Sequence, residues 1–198
     1  MRKPASRPAI PTATPERVAE LLLVSGLPPA YRDWTLETYD VTDANREAFE
    51  AVTAYAPDDR SLYVGGQSGS GKTRLACGLL LRLIERAVVC KYANVPDLLE
   101  RCFARDEDDR PDLDRLILPP LCRVLILDDI GFGTYVGWKR EAMEQTLYRL
   151  INGRIEHGVP TVYTSNLPCG GEEMRKRLGD PIVSRIAREC EVVTAGAR

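Results

Sequence analysis

The stretch that decides the fold is Gly66-Gln67-Ser68-Gly69-Ser70-Gly71-Lys72-Thr73, which matches the pattern G-x-x-x-x-G-K-S/T. It follows a predicted apolar strand, Leu62–Val64, and opens a helix predicted from Lys72 to Arg86. Glycines let backbone N–H groups converge on phosphate oxygens, and the positive N-terminal end of the helix faces the same anion. Lys72 is then placed to reach the β- and γ-phosphates, and the Thr73 hydroxyl to ligate Mg²⁺. All eight residues are therefore predicted to bind a nucleotide.

Short apolar strands and longer helices alternate on both sides of this loop. The predicted strands are Leu62–Val64, Val88–Tyr92, Val124–Leu127, Thr161–Thr164 and Glu191–Thr194. The helices predicted from the loop onward are Lys72–Arg86, Pro96–Ala104, Lys139–Glu156, Glu172–Leu178 and Pro181–Glu189. Such alternation implies a parallel sheet with helices on both faces. We therefore predict an α/β fold of the P-loop NTPase type, with a parallel five-stranded sheet sandwiched by helices.

The chain before the first strand has a different composition. Residues 1–14 are rich in proline and carry three basic side chains, which predicts a flexible basic tail. Thr14 followed by Pro15 is a helix start signal and predicts a short helix over 15–25. A second helix is predicted over 43–56, before Pro57. At the other end, the sequence stops soon after the last predicted strand, so little or no helical lid is expected.

Composition excludes several classes of protein. The 198 residues include 27 basic and 29 acidic side chains, and a net charge of −2 argues against a wholly cationic nucleic-acid binder. No apolar run approaches the roughly 18–20 residues that span a bilayer, and no secretory core follows the N-terminus, so the cytoplasm is expected. The six cysteines are scattered, with a single histidine. They are predicted to be free, buried thiols and not a zinc site or a set of disulfides.

Three polar positions at predicted strand ends are candidates for chemistry. Asp128 and Asp129 follow the apolar run Val124–Leu127, at the carboxyl edge where ligands of parallel sheets bind. Asp128 is expected to hold Mg²⁺ through water, and Asp129 to orient and deprotonate an attacking water. Asn166, at the exit of the next strand, could hydrogen-bond that water or the γ-phosphate. The two acids also fit a turn, and so does Asn166.

Arg185 is a further candidate, outside the strand ends. It stands in Ser184-Arg185-Ile186 on a predicted helix. A guanidinium offered to the γ-phosphate of a neighbouring subunit would act as an arginine finger. An ordinary exposed arginine on a helix is the alternative.

Several segments together resemble the AAA+ ATPases of the DnaC-like helicase-loader and IstB-like transposition-helper family. The resemblance rests on the segments Gly26–Arg32, Gly66–Thr73, Leu127–Gly131, Ile151–Arg154, Thr164–Leu167 and Ser184–Ile186. It implies an AAA+ ATPase domain at residues 26–198, with residues 1–25 forming the tail and short helix. It also implies ATP and Mg²⁺ as ligands, Asn166 as sensor 1, and Arg185 as the finger acting on a neighbour. Arg198 is only a weak candidate for a nucleotide sensor.

The family resemblance implies a homo-oligomer that binds single-stranded DNA when ATP is present and serves a replicative helicase or a transposase. A helicase-loader-like factor in DNA replication is the leading hypothesis, and an IstB-like transposition helper is the alternative. A P-loop kinase of small metabolites and a nucleotide-bound adaptor without hydrolysis are weaker alternatives. An N-K-x-D motif of GTPases is missing from the sequence.

Charge along the chain gives limited direct support for DNA binding. Residues 139–188 contain nine basic and six acidic side chains. Two clusters stand out within them, Lys139-Arg140 and Arg175-Lys176-Arg177. They predict a surface that faces phosphates. Residues 105–115 carry six carboxylates and are predicted to form a solvated acidic loop.

Overall fold

The computed structural model describes residues 12–104, 106, 108, 110–133 and 137–196. Within them, five parallel strands form one sheet in the order β2-β3-β4-β1-β5. The strands are β1 Ser61–Gly65, β2 Cys90–Asn94, β3 Val124–Asp128, β4 Thr161–Ser165 and β5 Cys190–Thr194. The helices are α1 Pro15–Val24, α2 Arg46–Ala54, α3 Lys72–Ile84, α4 Val95–Cys102, α5 Asp114–Ile117, α6 Trp138–Glu156, α7 Glu172–Leu178 and α8 Asp180–Glu189. The predicted parallel five-stranded α/β fold is confirmed.

Each face of the sheet carries a separate apolar core. Alternate side chains of one strand enter different cores, as Ile126 and Leu127 of β3 do. The first core contains residues of α1, α2 and α3, and the second contains residues of α4, α6, α7 and α8. The central strands β1, β3 and β4 are covered on both faces, so nearly all of their residues are buried, whereas the edge strands β2 and β5 also carry partly or fully exposed residues.

The beginning of β2 differs from the prediction of Val88–Tyr92. Ala87 has a left-handed backbone with φ of 59°, and the Val88 N–H donates to the Leu83 carbonyl, which closes α3. These residues therefore belong to the turn after α3, and the strand runs over Cys90–Asn94. The apolar pattern located the element, but the local turn shifted it by two residues.

Helix α1 lies against the domain. Its N-cap Thr14 accepts a hydrogen bond from the Arg17 N–H, as the start signal predicted. Leu21 is buried in the first core, and the Ala13 N–H donates to the Glu85 carbonyl at the end of α3. The proposed boundary at residue 26 stays a prediction, and residues 1–11 of the predicted tail lie outside the described residues.

The second helix is shorter than predicted. α2 starts at Arg46 because Asn45 bonds instead to the loop before it, accepting from the Thr42 N–H.

The acidic segment is partly folded. Within it, Asp114 opens α5 and pairs with Arg149 of α6 at 2.9 Å. Glu107 and Asp109 lie outside the described residues.

All six cysteines lie within the described residues and are free thiols; four are buried as predicted, but Cys102 and Cys169 are only partly buried. β5 is the last element before residue 196. In the part of the chain that the structure describes, none of the helices is long and apolar enough to cross a membrane.

Candidate nucleotide-binding site

The loop between β1 and α3 is shaped for an anion. Gly71 precedes α3 with a φ of +88°, and a Cβ there would lie 2.7 Å from the Tyr39 hydroxyl oxygen. The first turn of α3 has no side-chain cap, so its N–H groups face the loop. The buried Ser70 hydroxyl has no hydrogen-bond partner among the described residues. A free helix terminus and an unpartnered hydroxyl in one loop fit a bound phosphate group.

Lys72 points into this loop and meets the predicted sensor. Its side chain is buried, and Nζ donates to the Gln67 carbonyl and to Asn166 Oδ1, both at 2.7 Å. Burial lowers the pKa of Lys72, and the nearby carboxylates of Asp129 and Asp128 oppose that shift. The structure thus brings Asn166, from the end of β4, to the lysine of the loop after β1.

Asp128 is held by hydroxyl groups from three different elements. Its Oδ1 accepts from Thr73 at 3.0 Å and from Thr164 at 2.6 Å, and its Oδ2 accepts from Tyr92 at 2.8 Å. The carboxylate is almost fully buried. Burial, reinforced by the Asp128 charge, raises the pKa of Tyr92 far above its usual range, so the phenol remains a donor.

Thr164 and Tyr92 are site residues that the sequence did not single out. Thr164 belongs to the Thr164–Leu167 segment that carried part of the family resemblance, and that was the only signal for it. Tyr92 stands in an apolar strand and has the pattern of a core residue. Its role depends on where the neighbouring strand places Asp128, which local sequence does not encode.

The donors near the loop fit Mg²⁺. Thr73 and Asp128 offer hard oxygen ligands 3.0 Å apart, next to the lysine that faces the loop. Mg²⁺ in nucleotide sites is typically held by one or two carboxylates and completes its shell with phosphate and water. Within the described residues there is no group of three or more His, Cys, Asp or Glu side chains that could hold a metal. The fit is to a magnesium ion that arrives with the nucleotide.

Asp129 is strained and half-buried beside this centre. Its backbone is left-handed, with φ of 58°, and its N–H donates to Thr164 Oγ1 at 2.9 Å. Burial raises the pKa of Asp129, the Asp128 charge raises it further, and Lys72 opposes the shift. A carboxylate with a raised pKa is a better proton acceptor, and strained residues of this kind concentrate at functional sites.

A small cleft joins Asp129 to Asn166. Both residues line a cavity of about 30 Å³, together with Gly131 and Ser165. A cleft of this size has room for water. The Ser165 hydroxyl donates to the Ile130 carbonyl at 2.6 Å and so ties the two strand exits together. Water in this cleft is next to both Asp129 and Asn166.

Arg185 does not join this centre in its own chain. Its guanidinium donates to Asn152 Oδ1 at 3.0 Å, to the Tyr148 hydroxyl at 2.7 Å and to the Pro181 carbonyl at 3.0 Å. It also lies over the Tyr148 ring, 4.5 Å from the centroid. These contacts hold the guanidinium of Arg185, a residue of α8, against the surface of α6.

The basic clusters predicted to face phosphates are largely ion-paired. The pairs are Arg140–Glu144 at 2.9 Å, Arg175–Asp180 at 2.6 Å, Lys176–Glu172 at 2.8 Å and Arg177–Glu173 at 2.8 Å. The carboxylates in these pairs are among the six acidic side chains of residues 139–188, so the pairing leaves the count unchanged but means that these four basic side chains are not unpaired cations. Exposed pairs of this kind are weak and can exchange partners.

Comparison with known proteins agrees with this geometry. The family model described as IstB-like ATP binding protein matches residues 14–197. No curated protein matches this sequence.

Solved structures show the same fold. A crystal structure of the DnaC helicase loader is similar at 24% identity, with a TM-score of 0.67, over 84% of this chain and 99% of that one. A crystal structure of DnaI is similar at 23% identity, with a TM-score of 0.68, over 87% and 93%. AMPPCP-bound DnaA from Aquifex aeolicus has 20% identity and a TM-score of 0.65, over 85% of this chain and 50% of that one.

The family match spans nearly the whole chain and includes the loop, the strand ends and the helices that surround them. The predicted resemblance is confirmed by the match to the IstB-like ATP binding protein family, and DnaC and DnaI share the fold. This chain belongs to the family of IstB-like ATP-binding proteins.

Proposed function

We propose that this protein hydrolyses ATP and acts in DNA replication as a helicase-loader-like factor. The observation that supports hydrolysis most directly is the cleft that Asp129 and Asn166 line together, with Asn166 bonded to the lysine of the phosphate loop. A protein that only holds a nucleotide needs the loop, but it does not need a proton acceptor and an amide at one cleft beside it.

The residues divide the work of in-line attack on the γ-phosphate. Asp129 accepts the proton of the attacking water, and Asn166 orients that water or the γ-phosphate. Lys72 offsets the charge that develops on the β- and γ-phosphates. Thr73 and Asp128 would hold Mg²⁺, which would supply positive charge to neutralise the phosphates.

The Lys72–Asn166 hydrogen bond distinguishes the site without nucleotide from the site with nucleotide bound. Phosphate oxygens compete for the three donors of the Lys72 ammonium, which now bonds Gln67 and Asn166. When phosphates take these donors, the Asn166 amide is released toward the γ-phosphate. Nucleotide binding thereby couples the loop after β1 to the exit of β4.

The binding and chemical roles separate in two variants. Lys72→Ala should abolish ATP binding, because it removes the cation that faces the phosphates. Asp129→Asn should keep ATP affinity and lose turnover, because the amide cannot accept the proton. Fluorescent-nucleotide titration and phosphate release measure the two quantities. An equal loss of affinity in both variants would contradict this division of roles.

We propose that Arg185 completes the site of a neighbouring copy in a homo-oligomer. The support is that Arg185 is ordered by α6 and α8 and contacts none of the loop, Asp129 or Asn166 in its own chain. Two of its five N–H donors are not used by these contacts, so a guanidinium held in this way can still bind phosphate.

Mixing two inactive variants tests the action on a neighbour. Lys72→Ala and Arg185→Ala should each lose turnover alone. A mixture forms some shared sites that have both the native lysine of one subunit and the native arginine of the next, so activity should partly return. Full activity of Arg185→Ala alone, or no recovery on mixing, would contradict the assignment.

The client is proposed to be a replicative helicase, with single-stranded DNA bound in the ATP state. The DnaC helicase loader has the same fold, and DnaA has been seen with single-stranded DNA. The family description, IstB-like, favours a second candidate, a transposition helper whose client is a transposase. Pull-down with purified helicase and transposase, in ATP and in ADP, distinguishes the two. Single-stranded DNA binding that is equal in ATP and ADP would contradict the proposed switch.

A further inference from the structure

The carboxylate of Asp128 is fixed from both sides of its strand. Thr164 of β4 donates to Oδ1 from one neighbouring strand, and Tyr92 of β2 donates to Oδ2 from the other. The orientation of the carboxylate decides which oxygen faces Thr73. With Oδ2 bonded to the phenol, Oδ1 is the oxygen that meets the Thr73 hydroxyl. Tyr92 is therefore placed to set the geometry of the proposed metal ligand.

Tyr92 is itself held by the segment that enters the domain, residues 25–34, here called the entry segment. The Tyr92 N–H donates to the Ser25 carbonyl at 2.7 Å. Gly26 follows with φ of +75°, and a Cβ there would lie 2.8 Å from the Tyr92 carbonyl oxygen, so only glycine allows this approach. The backbone of Tyr92 is thus paired on its outer side by the entry segment.

The aromatic ring of Tyr92 is supported by the same segment. Tyr31 lies edge-on to it, with ring centroids 6.2 Å apart, and Tyr31 stacks on Trp34 at 4.1 Å. Tyr92 is 8% exposed. A continuous set of contacts therefore leads from the entry segment through the Tyr92 ring to the carboxylate of Asp128.

We infer that Tyr92 is a positioning residue for the metal–nucleotide site, and that the entry segment sets its position. The inference rests on the proposed function in one respect, the assignment of Asp128 to Mg²⁺. Groups that orient a metal ligand typically change metal affinity by about 10–100-fold when they are lost. Removal of the Tyr92 hydroxyl should weaken the binding of Mg²⁺ and leave the phosphate loop itself intact.

The test compares two tyrosine-to-phenylalanine variants. Tyr92→Phe removes the hydroxyl that bonds Asp128. Tyr55→Phe is the matched control, because Tyr55 is also buried in the first core and its hydroxyl has no partner among the described residues. Nucleotide affinity is measured in EDTA, and Mn²⁺ binding to the nucleotide complex is followed by electron paramagnetic resonance.

Tyr92→Phe should raise the half-saturating Mn²⁺ concentration about tenfold, at the low end of the effect of such groups. Nucleotide affinity in EDTA should stay within about twofold, since no loop contact is lost. Tyr55→Phe should change neither quantity. An unchanged Mn²⁺ midpoint in Tyr92→Phe would overturn the inference, and so would a loss confined to thermal stability.

A second pair of variants tests the role of the entry segment. Tyr31→Ala removes the ring that supports Tyr92 and should raise the Mn²⁺ midpoint by a smaller factor. Tyr31→Phe keeps the ring and should behave like the native protein. Equal Mn²⁺ midpoints in Tyr31→Ala and the native protein would overturn the role given to the entry segment.

Asp128→Asn separates this inference from the proposed function. If Asp128→Asn raises the Mn²⁺ midpoint and Tyr92→Phe does not, only the positioning role of Tyr92 fails. If neither variant changes the midpoint, the assignment of Asp128 to the metal fails as well.

Discussion

Arg154 gives the sharpest test of how the amino-terminal ends of β3 and β4 are held in place. It lies in the last turn of α6, and its side chain is 1% exposed. Nε donates to Thr161 Oγ1 at 2.8 Å, at the start of β4. The other two nitrogens donate to main-chain carbonyls, and none of the hydrogen-bond acceptors is a carboxylate. These carbonyls belong to Leu116, Cys122, Arg123 and Pro160.

The size of the effect follows from these contacts. Arg154→Met keeps much of the side-chain volume and removes every donor. A buried acceptor that loses its donor costs about 1–3 kcal/mol, and three of the carbonyl contacts are buried. Removing the guanidinium also removes the cost of burying a charge, several kcal/mol in the opposite direction. Three buried carbonyls without a donor cost about 3–9 kcal/mol together, and the removed charge offsets several of these, so the net loss expected in the free energy of unfolding is about 1–5 kcal/mol.

Urea unfolding of the native protein and of Arg154→Met measures this difference. Arg154→Lys is the matched comparison, because it keeps the charge but has one nitrogen and cannot reach the same set of carbonyls. We expect both variants to be destabilised. The loss should be easy to measure, because the whole free energy of unfolding of a folded domain is only about 5–15 kcal/mol. A loss below about 1 kcal/mol in Arg154→Met would refute the reasoning that these carbonyls depend on Arg154.

Three further variants test the nucleotide site. Gly71→Ala should lower ATP affinity in a binding titration. Alanine disfavours the left-handed backbone at this position, and its Cβ would collide with Tyr39. An unchanged affinity would argue against the loop geometry. Thr164→Val should lower turnover, since it removes a donor to Asp128 and an acceptor for the Asp129 N–H; full phosphate release would contradict this support role. Asp129→Asn should melt at a higher temperature than the native protein at pH 7. The raised pKa of Asp129 means that its charge disfavours the folded state above that pKa, so the gain should vanish as the pH falls below the ordinary value for aspartate. A gain that persists in acid would rule out the charge as its cause.

The parts of the fold that sequence predicts are those set by local pattern. The phosphate loop needs glycines at fixed spacing, and the strands need apolar runs, so both were located from the chain alone. The meeting of Lys72 with Asn166 was also predictable, because parallel strands bring their carboxyl ends to one edge. β2 was displaced by two residues because Ala87 adopts a left-handed turn, a conformation that alanine rarely shows.

Other features depend on contacts between distant segments. Arg154 has the sequence pattern of an exposed helical arginine, yet four carbonyl groups surround it, one from α5, two from the residues just before β3 and one from just before β4. The basic cluster on α7 gave a charge excess in the sequence, but Glu172 and Glu173 lie one turn away and compensate it. The phosphate-facing surface predicted from that cluster therefore remains a prediction with weaker support than the nucleotide site.

Phosphate release by the native protein is the most direct test of the central claim. Turnover per subunit is measured in saturating ATP and Mg²⁺ over a wide range of protein concentration, with Asp129→Asn as the inactive reference. The proposed site predicts slow release in dilute protein and a rise with concentration, as Arg185 of one copy reaches the nucleotide of the next. Release no faster than that of Asp129→Asn at every concentration would contradict the claim that this protein is an ATPase.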